Sequence, residues 1–262
     1  TSAFWRVAGA LPLLWLWAAL EPKSQSLAKG WSPAVVIAGA LFAGDLIFWH
    51  LAISRTSIAN ATFLATLAPV WVLLGAGLFL GERTTRNMWI GLCTCLLGAA
   101  ALIGANFSAS PDRLTGDLYG VITSFFFGSY ILATRYVRRS LGTGGLMFRT
   151  TLVTAALLFC AALVAEGQFL PATWKGILAL AALALLAHAA GQGLLAFALG
   201  RLTAGFSALV IFLEAVTAAA FAWIALGETL TSLQVFGGAL ILVGIWVARP
   251  LKRSTAPPRS PD

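Results

Sequence analysis

Leu80-Gly81-Glu82-Arg83-Thr84-Thr85 returns 146 positions later as Leu226-Gly227-Glu228-Thr229-Leu230-Thr231. The match runs on without a gap. Laying 45–102 over 191–248 makes 12 of 58 residues identical, among them Arg55 with Arg201, Gly91 with Gly237 and Gly98 with Gly244. An unbroken register with coincident turn residues marks a duplication, and duplicated halves are a common construction of secondary transporters. Whether these halves cross a bilayer, and in which sense, decides the fold.

Composition answers the first part. The 262 residues are 60% hydrophobic and 10% charged, with a mean hydropathy of +0.90, against roughly 25% charged residues in soluble domains. An aqueous core of this size cannot absorb so much apolar sequence, so the surplus faces lipid. Apolar runs of bilayer length fall at 4–20, 34–54, 57–80, 87–106, 117–137, 146–165, 174–199, 203–226 and 231–248. They predict nine transmembrane helices in an all-α integral membrane protein. Strict apolar–polar alternation is absent, which excludes a β-barrel. The breaks at Ser54-Arg55-Thr56 and Gly200-Arg201-Leu202 are short and predict tight hairpins.

Lysine and arginine supply the direction. With the C-terminal tail in the cytoplasm and nine alternating spans, 13 basic residues fall on the cytoplasmic side and four (Arg6, Arg55, Arg113, Lys175) on the outer side. The net charge of +8 is thereby a topological label, and no nucleic-acid partner is needed to explain it. Five spans separate 57–80 from its copy 203–226, an odd number, so the copies run in opposite directions. The second copy begins at the span 117–137, which has no counterpart ahead of Arg6. The expected organisation is two inverted-topology five-helix repeats with the first helix of the first repeat missing. Repeat one covers 1–106 and repeat two 107–248, and 249–262 forms a disordered cytoplasmic tail.

Several further marks accompany the repeat. Gly81-Glu82-Arg83 and Gly227-Glu228-Thr229 each follow a long span and precede a glycine-spaced helix. Ala59-Asn60-Ala61 leads into Leu67-Ala68-Pro69, and Arg6 and Arg149 open their spans. In this ordered set the chain resembles the EamA family of the drug/metabolite transporter superfamily. The resemblance implies a bacterial inner-membrane permease, often an exporter of metabolites or amino acids, with a central cavity between halves and cytoplasmic termini in a ten-span protein. The chain departs from the pattern at the first helix and at Ala215, which stands opposite Pro69.

Ionisable groups inside the spans are few, and burying each is expensive. Asp45, Glu214 and His188 all fall near the midplane, where transporter sites concentrate. Asp45 and Glu214 either bind an amino group or proton, or stand as neutral carboxyls bonded to a neighbouring helix. They are not repeat-equivalents. His188 and Gln192 are four residues apart and share a helix face, as a polar stripe along a cavity or as an interhelical hydrogen bond. Thr66 lies ahead of Pro69, which removes a helical hydrogen bond. Trp71 is placed to stack on a ligand. Glu82 and Glu228 are expected to cap the helices that follow them.

No catalytic residues and no cofactor are expected. Nucleotide-binding, zinc-peptidase and serine-hydrolase motifs are absent, and Cys93-Thr94-Cys95 lacks the spacing of a redox or metal motif. The chain thus reads as a secondary transporter, an exporter of small metabolites or amino-acid-like solutes working by alternating access, with the proton as candidate coupling ion. Its partners are that solute and the lipid bilayer. A membrane sensor or assembly protein, and an intramembrane enzyme, are the alternative readings.

Overall fold

The computed structural model describes residues 1–22, 30–103, 111–165, 173–227 and 229–250. Among them the regular structure is helical: α1 Ser2–Leu20, α2 Pro33–Arg55, α3 Ile58–Leu80, α4 Arg86–Ile103, α5 Leu114–Val137, α6 Thr143–Ala165, α7 Trp174–Leu199, α8 Ala204–Ala225 and α9 Ser232–Ala248. Seven of these, all but α5 and α9, are long and apolar enough to cross a membrane. Helix α9 is apolar but has 17 residues. Helix α5 has 24, and Asp117, Arg135 and a series of small polar residues lower its hydropathy. Leu20, Leu78 and Val164 are 77, 81 and 90% exposed, as lipid-facing side chains of a multi-pass membrane protein are. The expected Glu228 cap and the tail beyond Pro250 lie outside the described residues.

Four of the rods are irregular. Helix α3 stops at Ala65, where the Thr66 hydroxyl turns back to donate to the Phe63 carbonyl at 2.6 Å, and it restarts at Ala68 with Pro69 in its first turn. Proline has no amide hydrogen, so the Ala65 carbonyl loses its usual donor. Helix α8 breaks at the corresponding place, between Val210 and Leu213, although Ala215 stands where α3 has proline. Helix α1 breaks after Ala8, just ahead of Pro12. Helix α7 widens into a π-helical stretch over Leu183–Gln192, a form often associated with functional sites.

The tightest crossing joins α4 and α9, antiparallel. A Cβ added at Gly91 would come within 2.5 Å of the Gly244 carbonyl oxygen, and one at Gly98 within 2.6 Å of the Gly237 carbonyl oxygen. Between these pairs the Cys95 thiol lies 3.6 Å from the Ile241 carbonyl. Lipid offers helices no hydrophobic drive to associate, so small residues that let backbones approach closely hold them instead. The cysteine is a packing residue.

Helix α5 lies along α2 and α3 and ties the molecule at both ends. At one end Asp117 accepts from Thr56 Oγ1 at 2.7 Å and from Asn60 Nδ2 at 3.1 Å, pinning the α2–α3 hairpin. At the other, Arg135 donates through Nε to Glu82 at 2.7 Å and through a terminal nitrogen to the Leu199 carbonyl at 2.7 Å. Arg138 donates to the Ala196 carbonyl at 3.0 Å, and Arg139 donates to the Leu80 carbonyl. Glu82 also accepts from the Ala204 amide at 2.7 Å, while Glu21 accepts from the amides of Gly144 and Gly145 at 2.7 and 3.0 Å. Carboxylates therefore meet the N-termini of α6 and α8, and guanidinium groups meet the C-termini of α3 and α7. Each charge complements the local helix dipole. The sequence expectation of Glu82 as a cap needs one correction: its carboxylate caps α8 rather than the helix that follows it. An ion pair with Arg135, not chain adjacency, sets where it points.

Two substitutions test this packing. Gly98→Val places branched carbon against the Gly237 backbone and is expected to cost about 1–3 kcal/mol of stability, as overpacking does, seen as a lower melting temperature in detergent. Glu82→Ala leaves Arg135 without its carboxylate, and is expected to cost on the order of 3 kcal/mol. Glu82→Gln, which keeps the acceptor for the Ala204 amide, is expected to retain part of that loss in the same melting experiment.

Candidate functional site

The breaks of α3 and α8 lead to one place. A cavity of about 600 Å³ is bounded by Thr66 and Pro69 at the α3 break, by Ile211, Phe212, Glu214 and Ala215 at the α8 break, and by residues of α1, α2, α4, α5 and α7. Within a bilayer, backbone that leaves the helical pattern is tolerated where it is buried in protein or lines a water-filled space. The cavity is that space. It runs away from the end clamped by Glu82 and the α5 arginines, none of which line it.

Asp45 stands on the cavity wall, 8% exposed, with Trp49 one turn further along the same helix also in the lining. It is held at that depth by the seating of α2 against α5 and α6. Gly44 abuts the Phe126 ring, and Gly39 lies so close to α6 that the Thr154 hydroxyl donates to its carbonyl at 2.8 Å. Glu214 lies in the first turn of the second half of α8 and is exposed. Gln192, at the end of the π-helical stretch of α7, also lines the cavity. Of the residues that the sequence marks as candidates, the structure brings Asp45, Glu214, Gln192 and Thr66 together around one volume.

Two candidates lie elsewhere. His188 is 1% exposed and packs behind the cavity wall, its Nε2 2.9 Å from the Thr151 hydroxyl and its ring 5.4 Å from that of Phe42. Phe42 stands in the cavity lining and His188 does not, so the expected His188–Gln192 stripe is split between the α6 contact and the cavity. Trp71 does not reach the cavity either. Its indole N–H donates to Ser124 Oγ at 2.9 Å, and Phe125 meets it edge-on with ring centroids 5.5 Å apart. Counting along the span gives depth for both; the direction round the helix is set by neighbours in α5 and α6.

Three lining groups escape a reading of the sequence: Arg6, Thr123 and Trp49. Arg6 Nε, Thr123 Oγ1 and Gln192 Oε1 are buried polar atoms with no hydrogen-bond partner in the protein, and all three belong to residues of the lining. Buried polar groups are nearly always satisfied, so a cluster of unsatisfied ones around a single volume marks a place for solute or water. Arg6 feels the charges of both Asp45 and Glu214. Among the described residues the ion pairs are those of Glu82, and Arg6 contacts neither carboxylate within salt-bridge distance. Sequence position alone marks Arg6 as a boundary charge, because it stands so near the start of its span. The packing of α1 against α6 and α7 places it on the cavity wall.

Comparison with known proteins agrees with this architecture. The sequence profile of the EamA-like transporter family matches residues 1–104 and 114–249. The pseudopaline exporter CntI of Pseudomonas aeruginosa is 27% identical over 237 residues, covering 89% of this chain and 81% of that protein. A probable amino-acid metabolite efflux pump of Salmonella typhimurium is 24% identical over 216 residues, covering 78% and 72%. A solved crystal structure shares the fold with a TM-score of 0.80 at 21% identity, over 94% of this chain and 85% of that one.

The placement of Trp71 is open to a direct check. Trp71→Phe removes the hydrogen bond to Ser124 and keeps most of the ring, so it is expected to lower stability by about 1 kcal/mol while leaving solute transport in vesicles near the wild-type rate. A large loss of transport with little change in melting would place the indole at the solute instead.

Proposed function

The chain belongs to the EamA-like transporter family, and from that footing we propose that it is a secondary transporter that exports small amino-acid-like solutes by alternating access. The observation that carries this reading is the cavity: one volume at the helix breaks, lined by Arg6, Asp45, Glu214 and Gln192, and remote from a clamped end. Broken helices that present polar groups at mid-membrane are the usual binding architecture of such carriers. The named relatives are transporters, and an exporter and an efflux pump among them favour export over uptake.

In this proposal all nine helices cross the bacterial inner membrane, with the C-terminus in the cytoplasm and the arginine-clamped end facing the cytoplasm. The chain is built as two inverted repeats. The crossed pairing of Gly91 with Gly244 and Gly98 with Gly237 supports this, since Gly91 and Gly237 are repeat-equivalents and so are Gly98 and Gly244. The breaks of α3 and α8 at matching positions support it again. In such an arrangement the image of α5, which fills the groove between α2 and α3, belongs against α7 and α8. There Leu186, Leu194, Phe221 and Ile224 are exposed. The cavity then opens to the outside in the state described. Release of the Glu82–Arg135 clamp, together with closure of the α3 and α8 breaks around the solute, exchanges its access. Asp45 is the group on which proton movement would be coupled to that exchange, with Glu214 in support.

The test is pH-gradient-driven transport in reconstituted vesicles. Asp45→Asn is expected to reduce gradient-driven transport by about tenfold or more, since it removes the one buried carboxylate of the cavity, and Glu214→Gln by less. Full transport, with unchanged dependence on the gradient, in the double variant would remove both carboxyls from the mechanism. Counterflow of labelled solute without a gradient separates translocation from mere binding.

A further inference from the structure

We propose that Arg6 is the group that receives the carboxylate of the transported solute, with Asp45 taking its amino group. This rests on the transporter reading above and narrows its substrate to zwitterions that carry both charges close together.

The cavity has two kinds of wall. Arg6 is the cationic side chain among the described residues that line it, and Asp45 and Glu214 are the anionic ones. The three interact electrostatically, yet Arg6 is not in salt-bridge contact with either carboxylate. Each charge therefore keeps hydrogen-bonding capacity for something between them. The unsatisfied buried Nε of Arg6 points the same way. A guanidinium edge presents parallel donors that match a carboxylate, and such a paired contact is both directional and strong when water is excluded. Gln192 Oε1 and Thr123 Oγ1, unsatisfied in the protein, add acceptors for an ammonium group.

Other charge types fit less well. A simple cation would satisfy Asp45 but leave Arg6 as a repelling, partly desolvated neighbour. A simple anion would meet Arg6 while facing two carboxylates. Burying a charge without a partner is costly, and a zwitterion avoids that at both walls. The apolar lining from Phe42, Phe127 and Phe212 leaves room for a hydrophobic side chain. Register alone does not confer this role. Arg149 opens α6 as Arg6 opens α1, but it is 3% exposed, lies 6.0 Å from the Trp31 ring and does not line the cavity.

The experiment is counterflow in proteoliposomes with three sets of labelled probes: the standard L-amino acids, their α-amides, and the same carboxylic acids lacking the amino group. The wild type is expected to exchange at least one amino acid, and its amide and deaminated analogue at least about tenfold more slowly, as the loss of one charge-assisted contact implies. Arg6→Gln is expected to lose exchange of that amino acid by a similar factor, at an unchanged melting temperature. Arg6→Lys, which keeps the charge without the fork, is expected to recover part of it. If Arg6→Gln fails to fold, the lysine variant carries the comparison: wild-type discrimination and rate in it would overturn a bidentate role. Exchange of the α-amide as fast as the amino acid, or wild-type exchange by Arg6→Gln, overturns the role of Arg6 and leaves the transporter reading standing. Exchange of the amides or acids but of no amino acid overturns the zwitterion assignment. Exchange of no probe in any set overturns that assignment and counts against transport of amino-acid-like solutes altogether.

Discussion

A peptide chain inside hydrocarbon must satisfy its own backbone hydrogen bonds, and every departure from a regular helix has to be accommodated by protein or by a polar space. That constraint organises this molecule. Helix α3 ends at Ala65 and resumes at Ala68; helix α8 ends at Val210 and resumes at Leu213. Both breaks face the same cavity. The carbonyls and amides released there cannot lie against lipid, so the two breaks and the cavity require one another. Charged side chains follow the same rule. Arg6 and Asp45, too costly to leave in hydrocarbon, both line this volume.

The opposite end is organised by a related constraint. Four helix termini meet there, and each would present unpaired amides or carbonyls at the membrane boundary. Glu21 and Glu82 supply acceptors for the N-termini of α6 and α8, and three arginines at the end of α5 supply donors for the C-termini of α3 and α7. Helix α5 is thus a strut with Asp117 at one end and a guanidinium cluster at the other. The cavity stops short of this cluster.

Much of this is legible in the sequence. Thr66 and Pro69 announce the α3 break, because proline lacks the amide that a helix interior needs. The glycine spacing of 91 and 98, and of 237 and 244, announces two helices that accept a close neighbour. Asp45 and Glu214 declare themselves by rarity, as carboxyls in the middle of apolar runs. The α8 break has no such sign, since Ala215 breaks nothing by itself; it follows from tertiary packing. Trp71 and His188 show a second limit. Counting residues along a span gives depth, but the side of the helix that meets a cavity depends on which helices are its neighbours. Ser124 takes the indole and Thr151 takes the imidazole, and neither pairing leaves a mark in local sequence.

The sequence by itself determined that the chain crosses a membrane repeatedly, that one stretch matches another 146 positions on, and that its polar residues inside the spans are few enough to matter. Those conclusions follow from transfer free energies and from periodicity, which are properties of residues taken one stretch at a time. Only the tertiary structure decided which of those residues share a cavity. Arg6, a boundary charge by its position in the chain, enters it because α1 packs against α6 and α7. Trp71 and His188 stay out of it because their indole N–H and imidazole Nε2 turn to Ser124 on α5 and Thr151 on α6. Long-range contact, rather than composition, assigns a direction to each side chain, and in a bilayer that direction separates a packing residue from one that can meet a solute.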